Sequence, residues 1–186
     1  MGRKRTIDRN AILDAAEAIV TQEGAARLSF DGIARRAGVS KGGVLYSFPS
    51  RQELVAAMVR RDLDRFDADV AARRVEIGQA AGADMQAHLA ATRYESPALA
   101  TKAASLMAAL AETPEHAEPI REHYRRLLSR FRGDGPAERR VRTALFAAEG
   151  AFLLRGLGLV KLSEAEWAAL FEDIEALAAG GNEPAG

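Results

Sequence analysis

Apolar residues recur at helical spacing along most of this chain, and no convincing period-two alternation interrupts them, so the pattern is that of an all-α protein. A first amphipathic helix is expected over AILDAAEAIVTQEG from residue 11, with a cap at Thr6. Short helical segments follow between residues 28 and 50. A long helix is then expected over 51–77, with Leu54, Met58, Leu63, Phe66 and Val70 on or near one side and Gly78 and Gly82 punctuating its end. Further helices are expected near 83–94, 97–112, 118–132, 137–160 and 164–179. Pro97 and Pro119 suit first-turn positions, and Gly133-Asp134-Gly135-Pro136 is a loop. Ser163 and Glu166 form a capping box stapled by Leu162 and Trp167. The total is about nine helices, closed by a flexible tail over 180–186.

The densest signals lie in LSFDGIARRAGVSKGGVLYSFPSRQEL, residues 28–54. Ser29 caps one short helix, with Leu28 and Ile33 as a hydrophobic staple, and Ser40 repeats the arrangement with Val39 and Val44. Ser50-Arg51-Gln52-Glu53 reads as a full capping box. Gly38 falls where a left-handed residue ends the first short helix. Two short helices joined by a tight turn form a helix-turn-helix, whose second helix enters the DNA major groove N-terminus first. The expected reading surface is Ser40, Lys41, Gly42, Gly43, Val44, Tyr46 and Ser47, with Ser29 and Arg51 at the neighbouring helix starts. Lys41 can reach a phosphate or guanine acceptors, and Tyr46 and Ser47 can donate to phosphate. Glycine in a helix costs about 1 kcal/mol relative to alanine. Gly42 and Gly43 therefore suggest either close backbone approach to DNA or merely a surface turn.

Charge sharpens this picture. The whole chain is neutral, but residues 1–60 hold ten Lys/Arg against six Asp/Glu, while residues 61–186 hold sixteen against twenty. Positive charge at one end supplies sequence-independent DNA affinity. Arg3, Lys4 and Arg5 form a basic arm for backbone or minor groove, or else a solvated terminus. The chain has no cysteine, which excludes disulfides and thiolate chemistry and agrees with a reducing cytoplasm. No apolar segment reads as a signal peptide or a membrane span, since residues 143–160 are interrupted by Glu149 and Arg155. A cytoplasmic location is expected.

From about residue 6 to 60 the runs AILDAAEAIVTQEG, IARRAGVSKG and LYSFPSRQEL together resemble the DNA-binding domain of the tetracycline-repressor (TetR) family of transcriptional regulators. The resemblance implies a helix-turn-helix domain over 1–50 and a helical ligand-binding and dimerisation domain over 51–179. It also implies a homodimer on an inverted-repeat operator in double-stranded DNA, with no cofactor. The commoner family pattern has tyrosine at the position of Leu45 and histidine at that of Ser47. Here the tyrosine, Tyr46, is displaced by one residue, which turns a side chain by about 100°.

The final two helices carry the expected dimer interface: Ala144, Ala147, Ala148, Ala151 and Phe152, then Trp167, Leu170, Phe171 and Ile174. Ordinary core packing is the competing explanation for that stripe. A small-molecule effector is expected among His88, Thr92, Met107, Tyr124, Phe131 and Glu149, a mostly apolar set with a few polar groups. Each of these singly is also explicable as core or surface. His116 and His123 lack metal-ligand spacing, and no metal site is expected. The functional reading is a ligand-responsive repressor, not an enzyme. The alternative is a helical enzyme or ligand carrier with a vestigial helix-turn-helix, against which stands the lack of any nucleophile–base constellation.

Overall fold

A computed structural model describes residues 8–111 and 113–180, and among these every regular element is helical. The helices are α1 (Arg9–Glu23), α2 (Phe30–Ala37), α3 (Lys41–Ser47), α4 (Arg51–Ile77), α5 (Ala83–Arg93), α6 (Pro97–Ala111), α7 (Glu118–Ser129), α8 (Pro136–Gly156) and α9 (Glu164–Ala179). Two single 3-10 turns, Ala25–Arg27 and Pro114–His116, link α1 to α2 and α6 to α7.

Local chemistry sets most boundaries. Ser29, Ser40 and Ser50 each cap the helix that follows by accepting an amide N–H three residues on, at 3.1–3.2 Å. Gly38 ends α2 in the left-handed region at φ 67°, where a side chain would be strained. Three expectations change. The cap of α1 is Asp8, whose carboxylate accepts from Asn10 and Ala11, rather than Thr6, which lies outside the described residues. At Ser50 the hydroxyl serves Glu53 but no return bond from Glu53 forms, whereas Ser163 and Glu166 make the complete box. Finally, α8 stops at Gly156 instead of reaching 160, because Gly158 turns the chain at φ 69°.

The N-terminal core gathers Ile12, Ala16 and Ile19 of α1, Ile33 of α2, Val44 of α3, Phe48, and Leu54, Val55 and Met58 of α4. Leu106 and Leu110 of α6 complete the same cluster. The head is thus fused to the rest of the molecule through α4 and α6. A second core joins Met85 and Leu89 of α5, Leu127 of α7, Leu145 of α8, and Trp167, Phe171 and Ile174 of α9. Gly156 lets α8 approach α6 closely, since a Cβ there would fall 2.7 Å from the Ala100 carbonyl oxygen. No described helix is long and apolar enough to cross a membrane.

Candidate DNA-reading surface and ligand cavity

The seven residues of α3 divide cleanly by side. Lys41, Gly42, Leu45 and Tyr46 face outward, and Tyr46 is 85% exposed, unusual for an aromatic residue with no partner to cover it. Gly43 and Val44 point the other way. Val44, expected on the DNA face, is fully buried in the core, and Gly43 is buried with it, so neither of these two residues can meet a base. Ser47 is half-buried and donates its hydroxyl to the Gly43 carbonyl at 3.1 Å. Ser40 remains exposed at the helix start while capping the Gly43 amide.

Around this helix the other expected contacts sort by use. Lys41 Nζ pairs with Asp31 Oδ2 of α2 at 2.9 Å, but both side chains are more than half exposed, so the pair is weak and the ammonium remains available. A Cβ on Gly42 would meet only Ser40 Oγ, at 3.9 Å, so nothing inside the protein requires glycine there. Ser29 is spent largely as a cap. Arg51 is half-buried and donates to the Ala25 carbonyl at 2.7 Å, tying the start of α4 to the α1–α2 link; the structure places it as a brace rather than on the reading face. Arg3, Lys4 and Arg5 lie outside the described residues. Leu45 was absent from the expected set. It stands where the commoner family pattern has tyrosine, a signal present in LYSF.

The middle helices enclose a cavity. Its apolar walls include Val59, Leu63 and Phe66 of α4, Ala103 and Met107 of α6, and Phe152 of α8; Thr92, Tyr124 and Glu149 also line it. Four of the expected ligand residues, Thr92, Met107, Tyr124 and Glu149, therefore meet in one place. His88 stands behind them, and Phe131 lines a neighbouring cleft instead. Sequence reasoning missed Asp62, Arg65, Glu95 and His123. Charged residues on a long helix normally face solvent, so nothing in the local pattern marked Asp62 as buried.

Two polar networks give the cavity its character. Glu149 receives the Tyr124 hydroxyl at 2.5 Å and faces His88 Nε2 at 3.0 Å. Burial alone would raise the Glu149 pKa, but the bonds to His88 and Tyr124 outweigh it and hold the carboxyl below its ordinary value. Burial likewise pushes the Tyr124 hydroxyl far up, so it stays a donor, and pulls His123 down toward its neutral form. In the second network Lys102 of α6, only 5% exposed, lies 2.7 Å from Asp62 of α4 and 3.2 Å from Glu17 of α1. Arg61 of α4 also reaches Glu17 and pairs with Asp14. One buried ammonium thus ties the cavity wall to the reading head.

The free space is about 50 Å³, enough for water but not for an organic molecule, whose pockets usually span about 300–1,000 Å³. Any such ligand must part α4, α6 and α8.

The C-terminal stripe is mostly consumed internally. Trp167, Phe171 and Ile174 are buried in the second core, and the Trp167 indole N–H donates to the Arg93 carbonyl at 2.8 Å. Ala144 and Ala148 are fully buried, Ala151 and Leu170 pack against the same core, and Phe152 lines the cavity. These residues fill the chain's own interior, and of the expected interface only Ala147 is openly exposed. Beside it Phe146 and Leu154 of α8 and Leu157 just past its end are 62%, 44% and 43% exposed, an apolar strip the sequence reading passed over.

The bacterial regulatory protein model of the tetR family matches residues 12–58, and the tetracycline-repressor-like C-terminal domain matches residues 82–179. The chain belongs to the TetR family. A TetR-family chain built in this way is a DNA-binding transcriptional regulator. Solved structures agree on the fold. A transcriptional regulator from Rhodococcus sp. Rha1 is 22% identical with a TM-score of 0.73, over 95% of this chain and 100% of that one. A TetR-family regulator from Streptomyces coelicolor is 20% identical with a TM-score of 0.72, over 94% and 96%. A multidrug binding protein, EbrR, in complex with imidazole, is 22% identical with a TM-score of 0.69, over 95% and 96%. No curated protein matches the sequence.

Proposed function

We propose that this TetR-family chain is a one-component repressor, a two-fold dimer that binds an inverted-repeat operator and leaves it when a small organic effector occupies the cavity. The observation carrying the DNA half is the outward set of Lys41, Gly42, Leu45 and Tyr46 on a short helix whose other side is locked in a core. Two such helices would sit about 35 Å or slightly more apart to read successive major grooves. The exposed strip of Phe146, Ala147 and Leu154 on α8, continued by Leu157 just past its end, supports pairing by that helix, with α9 beside it. The protein works in the cytoplasm, where its DNA is.

The effector half rests on the cavity and its link to the head. EbrR, a relative in fold, is described as binding multiple drugs, which favours a ligand role for the same region here. An effector shifts the equilibrium only if it binds the DNA-incompetent arrangement better. Parting α4 from α6 disturbs the Asp62–Lys102–Glu17 chain, and that is the route by which filling the cavity moves α1 and α3.

Fluorescence anisotropy with labelled duplex DNA across a salt series tests the reading. Binding should weaken steeply as salt rises, since each phosphate contact releases counterions. Lys41→Ala with Tyr46→Phe should weaken it further. Absence of duplex binding at low salt by the folded protein refutes the reading.

A further inference from the structure

We infer that the cavity takes an organic cation, a protonated amine on an aromatic or aliphatic body, whose N–H donates to Oδ2 of Asp62. This rests on reading the cavity as the effector site and names the chemistry that site selects. Asp62 lines the cavity and is 7% exposed. Its Oδ1 is taken by Lys102 at 2.7 Å, while its Oδ2 is buried with no hydrogen-bond partner among the described residues. A buried acceptor without a donor costs free energy until something donates to it.

The remaining charges point the same way. Three carboxylates, Asp62, Glu95 and Glu149, line the cavity against one guanidinium, Arg65, which is already paired with Glu95 at 2.9 Å. An anionic ligand would face those carboxylates with only a committed arginine to meet it. A cation supplies the donor that the unpartnered carboxylate oxygen lacks, and charge-assisted hydrogen bonds are about twice as strong as neutral ones. The rings of Phe66, Tyr124 and Phe152 line the same space, and aromatic faces attract cations that have left water.

Three probes of one shape isolate charge: 4-phenylbutylamine, 4-phenylbutanol and 4-phenylbutyrate, each titrated calorimetrically into the full chain at pH 7.5. The amine is expected to bind at least tenfold more tightly than the alcohol or the acid. Asp62→Asn should remove that preference, leaving the amine no better than the alcohol. Because Asp62→Asn leaves the Lys102 ammonium with Glu17 as its remaining carboxylate, the double variant D62N/K102M removes both charges and should show the same loss. An alcohol or acid that matches the amine, an amine preference surviving in both variants, or no binding by any probe overturns the inference. Failure here with salt-dependent DNA binding intact leaves the repressor reading standing, while loss of DNA binding with amine selectivity retained removes only that reading.

Discussion

Lys102→Met tests the buried node directly, because it keeps an unbranched side chain one atom shorter and deletes the ammonium with its hydrogen bonds. In the parent, the ammonium lies between Asp62 and Glu17 at 2.7 and 3.2 Å and is almost wholly buried. Removing one partner of a buried ion pair costs about 3–5 kcal/mol, since the charge left behind stays desolvated. Arg61 still reaches Glu17, which places the expected cost near the lower end of that range. For a chain of this size about 3 kcal/mol lowers Tm by roughly 6–12 °C. The loss should also depend on pH. Burial raises the Asp62 pKa while the hydrogen bond and charge of Lys102 pull it down, so K102M pushes it higher still. A carboxyl with a raised folded-state pKa favours the fold at low pH, where it is protonated, and loses that contribution as pH rises through the folded value. The deficit of K102M should therefore be full at neutral pH and shrink as pH falls through the raised Asp62 value. Scanning calorimetry at pH 7.5 and pH 5, at one chain concentration, reads both parts. A Tm equal to the parent's at pH 7.5, or a deficit that does not change with pH, refutes this account of the node.

Four further outcomes are expected. Lys41→Ala should weaken operator binding by about 1–3 kcal/mol and relax preference at one base pair per half-site if it reads a base, as a competition assay with substituted duplexes would show. Tyr46→Phe, losing one phosphate donor, should instead weaken all duplexes alike, and a sequence-dependent loss would contradict that role. Phe146→Glu with Leu154→Glu should halve the mass found by light scattering at micromolar concentration while the circular dichroism spectrum stays helical; an unchanged dimer mass would move the interface elsewhere. Met107→Trp should fill the 50 Å³ cavity and block effector-induced release without loss of DNA binding, and an unchanged effector response would exclude that cavity.

The sequence by itself determined the elements and the reading head. Caps at Ser29, Ser40, Ser50 and Ser163 and the left-handed turn at Gly38 are interactions across three or four residues, so their partners are visible in the string. The helix-turn-helix was legible for the same reason, and the outward position of Tyr46 follows from its place in a seven-residue helix. Tertiary structure decided which side each apolar stripe faces. Val44 and Trp167 carry the signature of a contact surface, but periodicity cannot tell a face buried by the same chain from one left for DNA or a second copy. It also decided the charges. Asp62, Lys102 and Glu17 lie on three helices far apart in sequence, and each resembles an ordinary solvated residue until α1, α4 and α6 pack together. Burial and pairing of charge depend on long-range neighbours, and only the packed helices supply those.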